Sequence, residues 1–176
     1  MKPEFVAIYD DHVWDVYGFL AYRLNSREQA EDLTQATFER ALRAWGRFDP
    51  SRSAPKTWLL AIANNLLIDH YRADKSSRQS ALDDEVPEAA LPSQAGPESD
   101  LGLSAELAAA LQALTQRDRH VVALRFGGDL TGPEIAEMLD LTLANVQQIL
   151  SRALRRMRSL LEEADPEARS TSSHQA

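Results

Sequence analysis

Cysteine is absent from all 176 residues, so the chain has no disulfide, no thiolate nucleophile and no zinc site built on sulfur. Its four histidines, His12, His70, His120 and His174, are too scattered for metal-ligand spacing. Glycine is scarce, and the one adjacent pair, Gly127-Gly128, lacks the following Lys-Ser/Thr of a phosphate-binding loop. No metal and no cofactor are expected. A run of eighteen or so apolar residues is missing as well, and the opening "MKPEFVAIYDDHVWD" does not have the basic-then-apolar order of a secretion signal. A chain without a membrane segment, working in the cytoplasm, is the expectation. The polar cluster nearest to a catalytic one, Asp10-Asp11-His12, fits the exposed face of a helix, so no enzyme is expected either.

What is present is a hydrophobic content of 44%, enough for a core, and a formal net charge of -8 that is unevenly placed. Met1 to Arg78 carries 11 basic and 11 acidic side chains, and Ala105 to Ala164 carries 7 and 8. Gln79 to Ser104 has 6 acidic residues and no basic one. That segment, "QSALDDEVPEAALPSQAGPESDLGLS", mixes Pro, Gly, Ser and acid without helical period, the composition of a flexible linker. The expected organisation is therefore a folded block over 1–78, a linker over 79–104, a second block over 105–164 and a flexible tail over 165–176.

Apolar residues in the first block recur at three and four. Phe5, Ile8, Tyr9, Val13, Val16, Tyr17, Leu20 and Leu24 mark one helix, and a second starts near Ser26, where Ser26 and Gln29 resemble a capping box. Pro50 and Pro55 break the pattern before a third helix that runs to about Lys75. One or two short helices follow the linker and end at Gly127-Gly128. Strand signals are weak throughout, which predicts an all-α chain of two small helical domains, three helices and then about four.

The second block ends in a helix-turn-helix pattern. Thr131 and Glu134 form a capping box with Pro133 in the first turn, Ile135 and Leu139 face a core, and Asp140-Leu141-Thr142 supplies a turn with Thr142 capping the next helix. On a helical wheel Val146, Leu150, Ala153, Leu154, Met157 and Leu161 share one side. Asn145, Gln147, Gln148, Ser151, Arg152, Arg155, Arg156 and Arg158 share the other. Asn and Gln pair with an adenine edge, Arg with a guanine edge or a phosphate, so this second side has the chemistry of a DNA reader.

"AEDLTQATFERALRAWGRFDPSRSAPKTWLLAIANNLLIDHYR", Ala30 to Arg72, resembles region two of the extracytoplasmic-function (ECF) group of sigma-70 family factors of bacterial RNA polymerase. Its E-D-x-x-Q-x-x-F, W-L-x-x-I-A-x-N and D-x-x-R elements stand in order. Leu111 to Arg158 resembles their region four. The resemblance implies a three-helix region two bundle and a helix-turn-helix region four that together bind core RNA polymerase, through its β and β' subunits, and promoter DNA. It implies that Asp32, Gln35 and Glu39 meet the β' clamp, with Phe38 in the core. Arg52 and Lys56 would hold the strand, and Asn65 would read a base extruded from the -10 element. Asp69 would be a structural ion-pair partner. Asn145, Gln147, Gln148, Ser151, Arg152 and Arg155 would read the -35 element, with Arg152 foremost because it matches the family.

Gln147, Ile149 and Leu154 depart from basic residues usual there, Ala36 from an acid, and Asp140 from a turn glycine that Asp can replace in left-handed geometry. Whether an anti-sigma protein masks the two blocks is left open. The implied function is promoter-specific initiation of transcription with strand opening. Two rivals stand beside it: a stand-alone helix-turn-helix regulator, for which no heptad dimer seam is present, and a sigma-like interaction module without DNA binding.

Overall fold

In the computed structural model, which describes residues 4–81 and 102–164, three α-helices precede the acidic stretch and four follow it. They are α1 (Phe5–Arg23), α2 (Arg27–Ala44), α3 (Pro55–Ala81), α4 (Ala105–Gln112), α5 (Gln116–Val122), α6 (Gly132–Leu139) and α7 (Leu143–Ala164). A 3-10 turn (Trp45–Arg47) extends α2, and a π-helical segment (Ala123–Gly127) extends α5. No β-strand occurs among the described residues. The expected linker, apart from its two ends, and the expected tail lie outside them.

Local chemistry sets most of these boundaries. The Ser26 hydroxyl accepts from the Gln29 N–H, Ser104 from Leu107 and Thr115 from Asp118, each a side-chain cap on a helix start and each worth about 1 kcal/mol. Pro55 opens α3, where its missing N–H leaves no bond unmade. One expectation needs correction: α3 does not stop near Lys75 but continues to Ala81. The apolar stripe ends where expected, yet "SSRQSA" holds no Gly or Pro, so the helix goes on.

Helix α1 is the central element. Val16, Phe19 and Leu20 are fully buried, and they join Ala30, Phe38 and Ala41 of α2 and Leu59, Leu60 and Ala63 of α3 in one apolar cluster. That cluster does not stop at the first block. It continues through Val121, Ala123, Leu124, Leu130, Ile135, Val146 and Ile149 of the second block. A smaller core of Ala110, Leu111, Leu114, Val122, Ala153 and Met157 ties α4 and α5 to α7. The two blocks, expected to be joined by a flexible linker, pack directly on each other.

Their contact is as close as backbones allow. A Cβ added at Gly18 of α1 would lie 2.4 Å from the Gly127 carbonyl oxygen, and one added at Gly127 would lie 2.5 Å from that of Gly18. Polar bonds surround the contact. Arg119 donates from Nε to the Tyr22 carbonyl (2.8 Å) and from Nη2 to Asn25 Oδ1 (3.2 Å), and Arg23 Nη1 donates to the Gln116 carbonyl (2.9 Å). At the rim, Lys56 Nζ donates to the Asp129 carbonyl at 2.7 Å and to its carboxylate at 3.0 Å.

Candidate functional site

Helices α6 and α7 form the expected helix-turn-helix. Thr131 N–H and Oγ1 both donate to Glu134 Oε2, at 2.7 and 2.6 Å, and these bonds hold the Glu134 carboxyl below its ordinary range. Asp140 closes α6 in the left-handed region at φ 52°, where an Asp side chain is better tolerated than most. Leu141 N–H then returns to the Ala136 carbonyl, and Thr142 Oγ1 accepts from the Asn145 N–H at the start of α7. A short capped helix, a tight turn and a long capped helix follow from residues adjacent in sequence.

Helix α7 buries a narrow stripe: Val146, Ile149, Ala153 and Met157. Gln147, Gln148, Ser151, Arg152, Arg155, Arg156 and Arg158 are exposed and Asn145 is half-buried, so the polar side lies open to a ligand. From Asn145 to Arg155 is ten residues, about 15 Å of helix, and a helix of this width fits the ~12 Å major groove. Two departures from the family pattern now have different explanations. Ile149 is 2% exposed, so a cation there would be buried among apolar groups and Ile is the residue that packs. Leu154, placed with the apolar side by the wheel, is instead 42% exposed, because the buried stripe is too narrow to include it.

Arg152 has a partner the sequence did not reveal. Its Nη2 lies 2.6 Å from Asp118 Oδ1 and its Nε 3.2 Å from Oδ2, a two-point pair that joins α7 to the start of α5 and raises the guanidinium pKa. Asp118 is buried while Arg152 stays exposed.

The Pro-flanked loop before α3 is braced by stacked rings. Phe48 is buried, its ring 5.0 Å from Trp45 in a parallel stack and 4.7 Å from Trp58. Asp49 accepts from the Ser51 N–H and hydroxyl, which holds its carboxyl low and fixes the turn that exposes Arg52. Asn65 is exposed on α3, nine residues past Lys56, hence about 13 Å along the axis and half a turn round it. The three residues expected at the -10 strand therefore do not converge on one spot: Arg52 is on the loop, Lys56 is held by Asp129 and Asn65 faces away from it. Asp69 is exposed and forms no ion pair with any described residue, a correction to its expected structural pairing.

On α2, Asp32, Gln35 and Glu39 are exposed along one stripe, and Gln35 Nε2 donates to Glu39 Oε1 at 2.9 Å. Phe38 is buried, as expected. Gln35 and Glu39 also border a groove of about 790 Å³ between α1 and α2, whose apolar wall includes Tyr9, Trp14 and Leu42. Trp14 is 75% exposed and Leu42 57%. Sequence reasoning missed this wall. Its signal was a tryptophan off the apolar stripe of α1, a place where a large ring has no folding role.

Residues 8–77 match Sigma-70 region 2 and residues 110–159 match Sigma-70, region 4. Two such blocks in this order, with an open helix-turn-helix face in the second, define an RNA polymerase sigma factor. Over 169 residues the chain is 31% identical to the ECF RNA polymerase sigma factor SigX of Bacillus subtilis, covering 92% of this chain and 86% of that one. It is 32% identical over 160 residues to the ECF sigma factor BldN of Streptomyces coelicolor, covering 89% and 60%. The fold superposes on that of the sigma factor RpoE in complex with the anti-sigma factor NepR from Bartonella quintana with a TM-score of 0.66 at 21% identity, covering 89% of this chain and 93% of that one. The chain belongs to the ECF RNA polymerase sigma factors, proteins that bind core polymerase and direct initiation at particular promoters. No helix among the described residues is long and apolar enough to cross a membrane.

Proposed function

We infer that this sigma factor divides its work between surfaces that can be named. Helix α2 docks on the β' clamp through Asp32, Gln35 and Glu39, and the apolar wall of Tyr9, Trp14 and Leu42 supplies the buried area such a contact needs. The braced loop with Arg52, and α3 with Lys56 and Asn65, take the -10 strand. On α7, Asn145, Gln147, Gln148 and Ser151 read -35 base edges and Arg155 holds phosphate. Arg152 contributes to the same face while being oriented by Asp118. The protein acts in the cytoplasm and has no enzymatic activity of its own. An anti-sigma protein is a further partner, by analogy with the solved RpoE complex.

The observation that carries this reading is the exposed polar side of α7, set by caps and backed by a narrow apolar stripe. Apart from Arg152, which pairs with Asp118, the polar residues of that face are not needed for packing. Run-off transcription with purified core polymerase is the test, on templates drawn from promoters that respond to overexpression. RNA of defined length that depends on the added chain, with permanganate-reactive thymines near the start site, is expected. Sequence-specific binding by the chain alone, unaltered by core, would favour the stand-alone regulator instead.

A further inference from the structure

We propose that the -35 element read by this chain contains a thymine whose 5-methyl group seats on Leu143, so that part of the sequence choice is apolar. The proposal rests on the DNA-reading role given above to the polar face of α7. It adds to that face a side chain without any hydrogen-bonding group.

The first turn of α7 differs from its neighbours. The other three α-helices of region 4 each carry an acid there, Glu106 of α4, Asp118 of α5 and Glu134 of α6, the charge that a helix dipole favours. Helix α7 has none. Thr142 already caps it by accepting from the Asn145 N–H. The two residues between them are Leu143, 40% exposed, and Ala144, also exposed. A carboxylate in this turn would be repelled by DNA, whereas an apolar one is indifferent to phosphate and leaves surface to be covered.

Leu143 is also held in place. Its Cδ1 lies 3.0 Å from where a Cβ on Gly132 would stand, so a side chain at the first residue of α6 would press on that methyl. One side of the leucine rests on α6 and the rest is open. A side chain positioned before binding loses little freedom when a ligand arrives.

Its place on the helix selects the ligand. In a helix-turn-helix the N-terminal residues of the second helix contact base edges, and Leu143 is the first residue of α7. Gln147 follows four residues later, about 6 Å along the axis and about 40° round it. Base pairs stack at about 3.4 Å, so the two side chains meet bases within about two pairs of each other. The thymine methyl is the apolar group of the major groove. Any other base edge set against Leu143 would lose water without gaining a hydrogen bond.

The contact can be tested from the DNA side, with the protein unaltered. Wild-type holoenzyme is titrated on a duplex promoter fragment that supports run-off transcription. Each thymine of the -35 element, on either strand, is replaced in turn by deoxyuridine, which lacks only the methyl. One position should lose about fourfold in affinity, the worth of one buried methyl. With Leu143→Ala the thymine and deoxyuridine fragments should bind alike, while base choice at the other positions is kept. Leu154→Ala removes a leucine of similar exposure, 42%, about 16 Å further along α7, and should keep the whole methyl effect. The absence of a methyl-sensitive thymine in the wild type, an unchanged methyl effect in Leu143→Ala, or its loss in Leu154→Ala would each overturn the proposal. The wild-type scan is decisive even if Leu143→Ala folds poorly. It also separates this contact from the reading beneath it: a holoenzyme indifferent to every base change in the -35 element counts against the DNA-reading face, whereas one that discriminates bases but not methyls defeats the apolar contact alone.

Discussion

Arg152 and Asp118 are joined by two hydrogen bonds, of 2.6 and 3.2 Å, across the contact between α7 and α5. The carboxylate is buried and the guanidinium exposed, so the loss is asymmetric. Removing the arginine leaves a buried carboxylate whose remaining partners are few. Arg152→Ala should therefore lower the thermal midpoint of region 4 as well as weaken -35 recognition, while affinity for core polymerase stays unchanged. Calorimetry and a pull-down on core check both halves. Full stability in Arg152→Ala would return the residue to a purely DNA-reading role.

The other polar residues of α7 separate by chemistry. Gln148→Ala should relax discrimination at one base pair, by about 1–3 kcal/mol if the contact is a two-point one. Arg155→Ala should weaken binding to all sequences and reduce the slope of log affinity against log salt by about 1. Holoenzyme titrations on matched and mismatched -35 elements at several salt concentrations distinguish the two. A Gln148→Ala holoenzyme with unchanged base preference would remove that residue from the reading face.

The helix-turn-helix was legible because each of its signals is local. Thr131 with Glu134, Asp140 in the turn and Thr142 before α7 act on backbone groups within three or four residues. The seam between the two blocks was not. Lys56 and Asp129 stand 73 residues apart, and Arg119 meets the Tyr22 carbonyl across 97. Nothing in either neighbourhood specifies the other. Leu154 shows a subtler limit. A wheel assigns sides but not the width of the stripe that packing uses, and here α4, α5 and α6 cover only the arc through Val146, Ile149, Ala153 and Met157. The groove beside α2 was hidden for the same reason as the seam, since its wall is shared by two helices.

That groove gives a prediction about core binding. Trp14 is mostly exposed, so its removal should change folding stability by no more than about 0.5 kcal/mol. At the centre of an interface the same ring is worth about 2 kcal/mol, a loss of roughly thirtyfold in affinity. Competition of Trp14→Ala with a labelled wild-type chain for core polymerase measures it, with Gln35→Ala as the polar comparison. Equal competition by Trp14→Ala would place the clamp contact on the far edge of α2, around Asp32.

Acid should weaken the packed structure through His120. Its ring sits edge-on to Phe19 at 5.7 Å, with Arg23 of α1 nearby, and burial first, then the charge of Arg23, depress its pKa to about 4. The folded state therefore holds the ring neutral where the unfolded chain, with an ordinary value near 6.5, would protonate it. The contribution is fully present above pH 6.5 and is lost as pH falls from there toward 4, by about 3 kcal/mol in all. His120→Gln removes the titration and keeps a polar side chain. Urea midpoints of the two proteins should accordingly converge as pH drops across that window, because the wild type alone loses this increment, while carboxylate protonation affects both equally. Parallel curves from pH 7 to 4 would show that the imidazole reaches solvent in the folded protein.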